Sequence, residues 1–200
     1  GYLITNCVFD SCTSRGNSAA AISALRGPGL VVDCVMTNCM CREQANPHPY
    51  GLALQVSGTG AVADRCRVYG AVCEGLGVER RGAVGVTGGA TLRNSLVAGC
   101  RAALCSGIYV GANSAVENCT VASNTTLTAT DEALHAPQAL WLANATATVT
   151  NTISSLNVDD TGAAANIGGV DGWEANVGNC FIGGDAHFKN PRKWNFRIRS

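Results

Sequence analysis

One short motif recurs seven times along the 200-residue chain and limits the folds that the chain can adopt. Each copy has Cys, Ser or Thr at its key position, preceded by Asn in five of the seven, and successive copies are 24 to 33 residues apart. The key residues are Cys7, Cys34, Cys66, Ser95, Cys119, Thr152 and Cys180. A period of this length is typical of solenoids, in which each repeat buries its apolar face against its neighbours.

The segments between the key residues have the pattern of strands rather than helices. They are short, rich in Val, Ile and Thr, and separated by Gly and Asn, and no stretch has a convincing helical period. Short strands at this period predict an all-β fold, a parallel β-helix of about six to seven coils, in which equivalent residues stack about 4.8 Å apart. The Asn before the key position fits a tight bend, because Asn tolerates left-handed backbone angles.

The 11 cysteines follow the same periodicity. Their number is odd, no Cys-x-x-Cys occurs and the three histidines are not at zinc-finger spacing, so the pattern indicates no metal site. A second column, five residues after the first, consists of Cys12, Cys39, Cys100, Asn124 and Asn157. We interpret both columns as small side chains packed inside the coils, with the thiols forming a buried ladder. A metal or redox site is the alternative, and the oxidation state of stacked thiols is left open.

These residues resemble right-handed parallel β-helix repeat proteins of the pectate-lyase-like superfamily, and most of all its bacterial secreted and surface branch, which includes polymorphic outer-membrane passengers. The Phe-x-x-Asn and Gly-Gly-Ala-Ile pattern of that branch is echoed in Phe9-x-x-Cys12 and in residues 17–22, and the tail at 185–191 and 196–198 is similar to a segment that closes many such domains. The resemblance implies right-handed coils over residues 1–184, with residues 185–200 as a covering segment or junction of the same domain. Because the chain starts without Met and ends abruptly, we expect it to be an excerpt of a longer protein.

Differences in repeat length are expected to fall in one connection of each coil, at residues 40–50, 73–81, 101–106, 125–138 and 155–166. Stacking would bring these insertions to one side of the solenoid. Along the stack there are two long loops, then a short one, then two longer ones, and this order predicts a groove across that face. The candidate binding-face residues are Glu43, His48, Glu79, Arg80, Arg81, Arg101, Asp131, Glu132, His135, Asp159 and Asp160.

No convergent catalytic set is visible, so no catalytic residue is assigned. Two carboxylates flanking a groove would serve glycoside hydrolysis, and a lyase would need a base with Arg, Lys or Ca²⁺ beside it. The alternative interpretation is that these charged residues lie on exposed loops, where they are solvated and have no catalytic role. The leading hypothesis is a non-catalytic segment of a large secreted or cell-surface bacterial protein, acting as stalk, adhesin or carbohydrate-contacting module. The alternatives are a polysaccharide lyase or glycoside hydrolase of this fold, and a self-assembling fibre or passenger domain.

The charge balance and the hydropathy of the chain exclude some classes of binding partner. The 14 Lys and Arg balance 14 Asp and Glu, which argues against a nucleic-acid partner, and no apolar run is long enough to span a membrane. A chain that is 46% hydrophobic is not disordered. We therefore expect no cofactor other than a candidate Ca²⁺, no membrane contact within this segment, and an extracellular location. The expected partners are a polysaccharide, or a host or cell-surface ligand, and other domains of the same chain.

Overall fold

The structure is a computed structural model that describes the chain except for residues 15–18, 42–50, 74–81, 104, 128–137, 185, 187, 191–194 and 199–200. The described residues form 28 short strands, numbered in chain order, and one 3-10 helix, Trp173–Asn176. No helix among them is long and apolar enough to cross a membrane.

The strands assemble into four parallel sheets that the chain visits in turn. Sheet A consists of β1 (Leu3–Thr5), β5 (Gly29–Val32), β9 (Ala61–Asp64), β13 (Thr91–Arg93), β17 (Ala115–Glu117), β21 (Thr148–Thr150) and β25 (Val177–Gly178). Sheet B consists of β2 (Val8–Asp10), β6 (Val35–Thr37), β10 (Arg67–Tyr69), β14 (Leu96–Ala98), β18 (Thr120–Ala122), β22 (Ile153–Ser155) and β26 (Phe181–Ile182).

The other two parallel sheets contribute six strands each. Sheet C consists of β3 (Thr13–Ser14), β7 (Met40–Cys41), β11 (Val72–Cys73), β15 (Arg101–Ala103), β19 (Thr125–Leu127) and β23 (Val158–Asp159). Sheet D consists of β4 (Ile22–Leu25), β8 (Gly51–Ser57), β12 (Gly82–Thr87), β16 (Cys105–Val110), β20 (Gln138–Leu142) and β24 (Ile167–Gly169). The all-β parallel solenoid is thus confirmed, and strand counts of seven and six agree with the predicted number of coils.

The repeated Cys, Ser or Thr lies just after the bend between sheets A and B. Each copy follows a residue in the left-handed conformation, from Asn6 to Asn179, with φ between 50° and 54°. Its side chain donates a hydrogen bond to the carbonyl two residues earlier, as in Ser95 Oγ to Arg93 O (2.7 Å) and Thr152 Oγ1 to Thr150 O (3.0 Å). Cys66 Sγ makes the same bond to Asp64 O at 3.6 Å. Each of these carbonyls also accepts a backbone N–H from the neighbouring coil, as Arg93 O does from Arg65 N at 3.2 Å. The small donor therefore adds a second hydrogen bond to a carbonyl at the bend.

The bend between sheets B and C contains the second column. Here the left-handed residue is Ser, Asn, Gly or Leu, and the inward residue that follows it is Cys, Ala or Asn. In the later coils Asn157 Oδ1 accepts bonds from Asn124 N (3.0 Å) and Asn124 Nδ2 (2.9 Å), and Asn157 Nδ2 reaches Val121 O (2.9 Å). These buried amides join neighbouring coils through hydrogen bonds, whereas thiols in the earlier coils of the column bond to the carbonyl two residues before them.

Aliphatic side chains fill the interior between the sheets, and the largest fully buried ones include Leu54, Leu92, Ile108, Leu140 and Leu142. All 11 cysteines are free thiols. Cys41 and Cys73 belong to neither predicted column, but pack with Leu52 and Ala102 in a second small cluster. The excess of cysteine therefore reflects several packing positions along each coil.

After the last coil the chain returns to the outside of sheet B. Ala186 packs against Ala122, and its backbone N–H donates to Ser155 Oγ at 3.3 Å, while that hydroxyl donates to Gly184 O. The strands β27 (Phe188–Asn190) and β28 (Asn195–Ile198) pair antiparallel beyond this point.

Candidate functional site

The predicted insertions all leave the coil at the same edge, between a strand of sheet C and the next strand of sheet D. Because the strands of each sheet stack in register, the attachment points of the insertions lie along one edge of the solenoid. The groove itself stays a prediction. Eight of its candidate residues lie outside the described residues: Glu43, His48, Glu79, Arg80, Arg81, Asp131, Glu132 and His135.

The structure describes the other three candidates, Arg101, Asp159 and Asp160. Arg101 is exposed at the start of β15, and Asp159 and Asp160 lie at the end of β23 and in the turn after it. Asp159 Oδ1 accepts hydrogen bonds from Thr161 Oγ1 (2.7 Å), Thr161 N (2.9 Å) and Ala163 N (2.9 Å). These bonds, led by the one from the Thr161 hydroxyl, lower the pKa of Asp159. The Asp159 carboxylate therefore stabilises the turn that follows β23.

A charged groove outside the A–B bend was not predicted from the sequence. It has a volume of about 490 Å³, which is within the range of small-molecule sites. It is lined by Asp33, Val35, Arg65, Cys66, Arg67, Asn94 and Leu96. One sequence signal could have identified it: Asp33 and Arg65 occupy the bend position at which the other five coils have Asn.

A network of ion pairs joins three successive coils at this groove. The Arg65 guanidinium binds the Asp33 carboxylate through two bonds of 2.8 Å, and it also contacts Asp64 at 3.0 Å. Asp64 receives Arg93 at 3.2 Å and the Asn94 side-chain amide at 2.8 Å. The Asp64 side chain is only 9% exposed, whereas those of Arg65 and Arg93 are about half exposed. Asp64 is therefore the centre of the network.

The charges of this network reinforce one another. The Arg65 guanidinium lowers the pKa of Asp33, and Asp33 in turn raises the pKa of Arg65. Burial would raise the pKa of Asp64, but the Asn94 amide and the Arg93 and Arg65 charges outweigh burial and lower it. Both aspartates are consequently ionised at neutral pH.

Asp10, in the first strand of sheet B, also has a carboxylate that is bonded to a neighbouring coil. Its Oδ1 accepts hydrogen bonds from Thr37 Oγ1 and, at 3.0 Å, from Asn38 Nδ2 on the next coil. These bonds, led by the one from Thr37, lower the pKa of Asp10. Its carboxylate therefore links two coils.

The buried thiols Cys39, Cys66, Cys100 and Cys119 do not resemble reactive cysteines. Burial raises the pKa of Cys39 and Cys66 to about 11, and that of Cys100 and Cys119 to about 12. A reactive cysteine needs a lowered pKa and access to solvent. Among the described residues no group of three or more His, Cys, Asp or Glu side chains is arranged to hold a metal ion.

The comparisons with known proteins agree with the architecture. A family model described as "right handed beta helix region" matches residues 2–155, which is more than half of the chain. Neither the search of curated proteins nor that of solved structures gives a significant match. With the four stacked parallel sheets and their two columns of bends, the match establishes that the chain belongs to the right-handed β-helix family.

Proposed function

We propose that this chain is a non-catalytic β-helix segment of a secreted or cell-surface protein, with the role of a carbohydrate-contacting stalk or adhesin. Its rigid stacked coils separate and display surface groups at a fixed spacing, which is what such a role requires. A bacterial source is part of this proposal, and rests on the sequence resemblance alone.

The proposal rests on the hydrogen bonds and pKa values of the described aspartates. Glycoside hydrolysis needs one carboxylic acid with a raised pKa as general acid and a second carboxylate across a groove. Four described aspartates, Asp10, Asp33, Asp64 and Asp159, instead have a lowered pKa, and each holds a bend, a turn or a neighbouring coil. A carboxylate that is held ionised by such bonds is a poor general acid.

The state of the cysteines is compatible with an extracellular location. Thiolates are the forms that attack disulfides, and burial in the apolar interior suppresses the thiolate. Eight of the 11 cysteines are buried, so most of these thiols can persist unpaired in an oxidising compartment.

Incubation with a panel of acidic and neutral polysaccharides, with and without Ca²⁺, tests the absence of catalysis. We expect retention of the chain on at least one immobilised polysaccharide, with no new reducing ends and no unsaturated products. Cleavage in proportion to chain concentration would support the lyase or hydrolase alternative, provided that it disappears in the Asp131→Asn, Glu132→Gln double variant. Cleavage that persists in the double variant but disappears in Asp159→Asn would equally overturn the proposal.

A further inference from the structure

Arg67 is the cation of the A–B groove that the ion-pair network leaves unused. It is the first residue of β10, it is exposed, and its backbone N–H donates to Cys34 O at 2.9 Å. Its guanidinium makes no hydrogen bond or ion pair with any described residue, although its charge contributes to the lowered pKa of Asp33. Arg65 and Arg93, by contrast, are both held by aspartates. Arginine carries five N–H donors in a fork that matches a planar or tetrahedral oxyanion.

An ion pair positions Arg65 in the wall of the groove that Arg67 also lines. Arg65 has a left-handed backbone, with φ of 52°, at a bend where five other coils have Asn. Arginine is disfavoured in this conformation, and such departures from local preference are concentrated at functional sites. The bidentate ion pair with Asp33 holds the Arg65 side chain across the bend through two bonds of 2.8 Å.

The charge of the groove favours a ligand with one negative charge. Among the residues that line the groove, Arg65 and Arg67 contribute two positive charges and Asp33 one negative charge, which leaves one positive charge. Glu117 is the register neighbour of Arg93 but does not line the groove. The whole chain has no net charge, so this local excess is a property of the site.

The remaining lining atoms indicate what carries the negative charge. Val35 and Leu96 lie on either side of Arg67 in the register of sheet B and present apolar surface. Asn94 donates through Nδ2 to Asp64, and its Oδ1 accepts no hydrogen bond from the described residues. An apolar wall, a hydroxyl acceptor and one free guanidinium are the features that a hydroxylated ring with one acidic group requires.

We propose that the A–B groove binds a saccharide through a single carboxylate or sulfate ester held by Arg67. This inference rests on the proposed carbohydrate-contacting function, and it places the contact away from the insertion edge. The geometry is that of a recognition site, because the neighbouring carboxylates are engaged by Arg65, Arg93 and Asn94.

An NMR titration of the whole chain, following the arginine Nε–Hε signals, tests the site. The probes are three disaccharides of equal size, which carry one carboxylate, one sulfate ester or no charge. We expect saturable binding of at least one acidic disaccharide, with the Arg67 signal shifting most and the neutral disaccharide binding at least about tenfold more weakly. The two acidic probes distinguish a carboxylate from a sulfate.

Two matched variants complete the test. Arg67→Gln should weaken binding of the acidic disaccharide by about tenfold or more, and Arg26→Gln, which removes an exposed arginine outside the groove, should leave it unchanged. Equal binding of neutral and acidic probes, or equal effects of the two variants, would overturn the site while leaving the proposed function intact. No binding of any disaccharide by a chain that is still retained on polysaccharide would also overturn the site alone.

Discussion

Single residues at the two bends explain the unusual cysteine content. At the A–B bend a residue with positive φ turns the chain, and the next side chain is small, faces inward and donates to the carbonyl two residues earlier. Cys, Ser and Thr meet all three conditions at the A–B bend, whereas Asn at the B–C bend also bonds to the neighbouring coil. Cysteine is used here as a small, buried donor.

Thiol reactivity should follow this burial. Cys7, Cys12 and Cys180 are half-buried, whereas the other eight cysteines are buried. We expect a maleimide at pH 7 to label only these three in the native chain and all 11 in denaturant, as counted by intact mass. Rapid native labelling of Cys66 or Cys100 would contradict the packing described above.

The same raised pKa values predict weaker folding in alkali. Above the ordinary thiol value of 9.0, the unfolded chain loses protons that Cys66 and Cys119 retain when folded, with pKa values of about 11 and 12. The free energy of unfolding should therefore fall as pH rises from about 9 toward 12. Urea unfolding across this range checks the prediction, and the fall should be shallower in the double variant Cys66→Ser, Cys119→Ser. An identical slope would contradict it.

At the scale of strands, register decides which side chains meet. The bends could be predicted from the sequence because the period and the Asn–Cys pairs are visible in it. The Asp33–Arg65 pair could not, since it depends on two coils of different length stacking in register across 32 residues. The left-handed bend at Leu156 gives no sequence signal, because Leu rarely adopts positive φ. The Cys41–Cys73 contact belongs to a third stacking position that the two-column interpretation did not include.

Gly107 tests the tight packing of sheet D. A Cβ at Gly107 in β16 would lie 2.6 Å from Ala139 O and 2.8 Å from Val121 Cγ1, so Gly107→Ala should destabilise the fold by about 1–3 kcal/mol. Gly178→Ala in β25 is the matched control, because its Cβ would meet nothing closer than Thr150 Cγ2 at 3.7 Å. Urea unfolding of both variants is the measurement, and equal losses would contradict the packing.

The Asp64 network should make the stability of the fold depend on pH. The pKa of Asp64 is lowered, so the folded chain keeps Asp64 charged at pH values where the unfolded chain binds a proton. The free energy of unfolding should therefore fall as pH drops below about 4, and Asp64→Asn should make this fall shallower and cost about 1 kcal/mol at neutral pH. Asp171→Asn removes an exposed carboxylate outside the network. If both variants change the acid slope equally, the network is not its source.

The whole molecule is a stack in which each coil contacts mainly the next one. Its interior is formed by short apolar strands, which explains why only 14% of the residues are charged. Two of the described ion pairs, Arg65–Asp33 and Arg93–Asp64, join neighbouring coils. Such a molecule provides a long rigid surface, and its binding properties depend on the few side chains that interrupt the repeat.

The central proposal is that the carboxylates of this chain serve its structure, as Asp10, Asp33, Asp64 and Asp159 do through their hydrogen bonds, and do not act as acids in a reaction. An NMR titration of ¹³C-labelled carboxyl groups tests it directly for all 14 Asp and Glu residues, including those of the insertions. We predict that Asp10, Asp33, Asp64 and Asp159 titrate below the ordinary value of 3.8. A carboxyl group in an insertion with a pKa near 6, close to the value that a general acid needs, would contradict the claim.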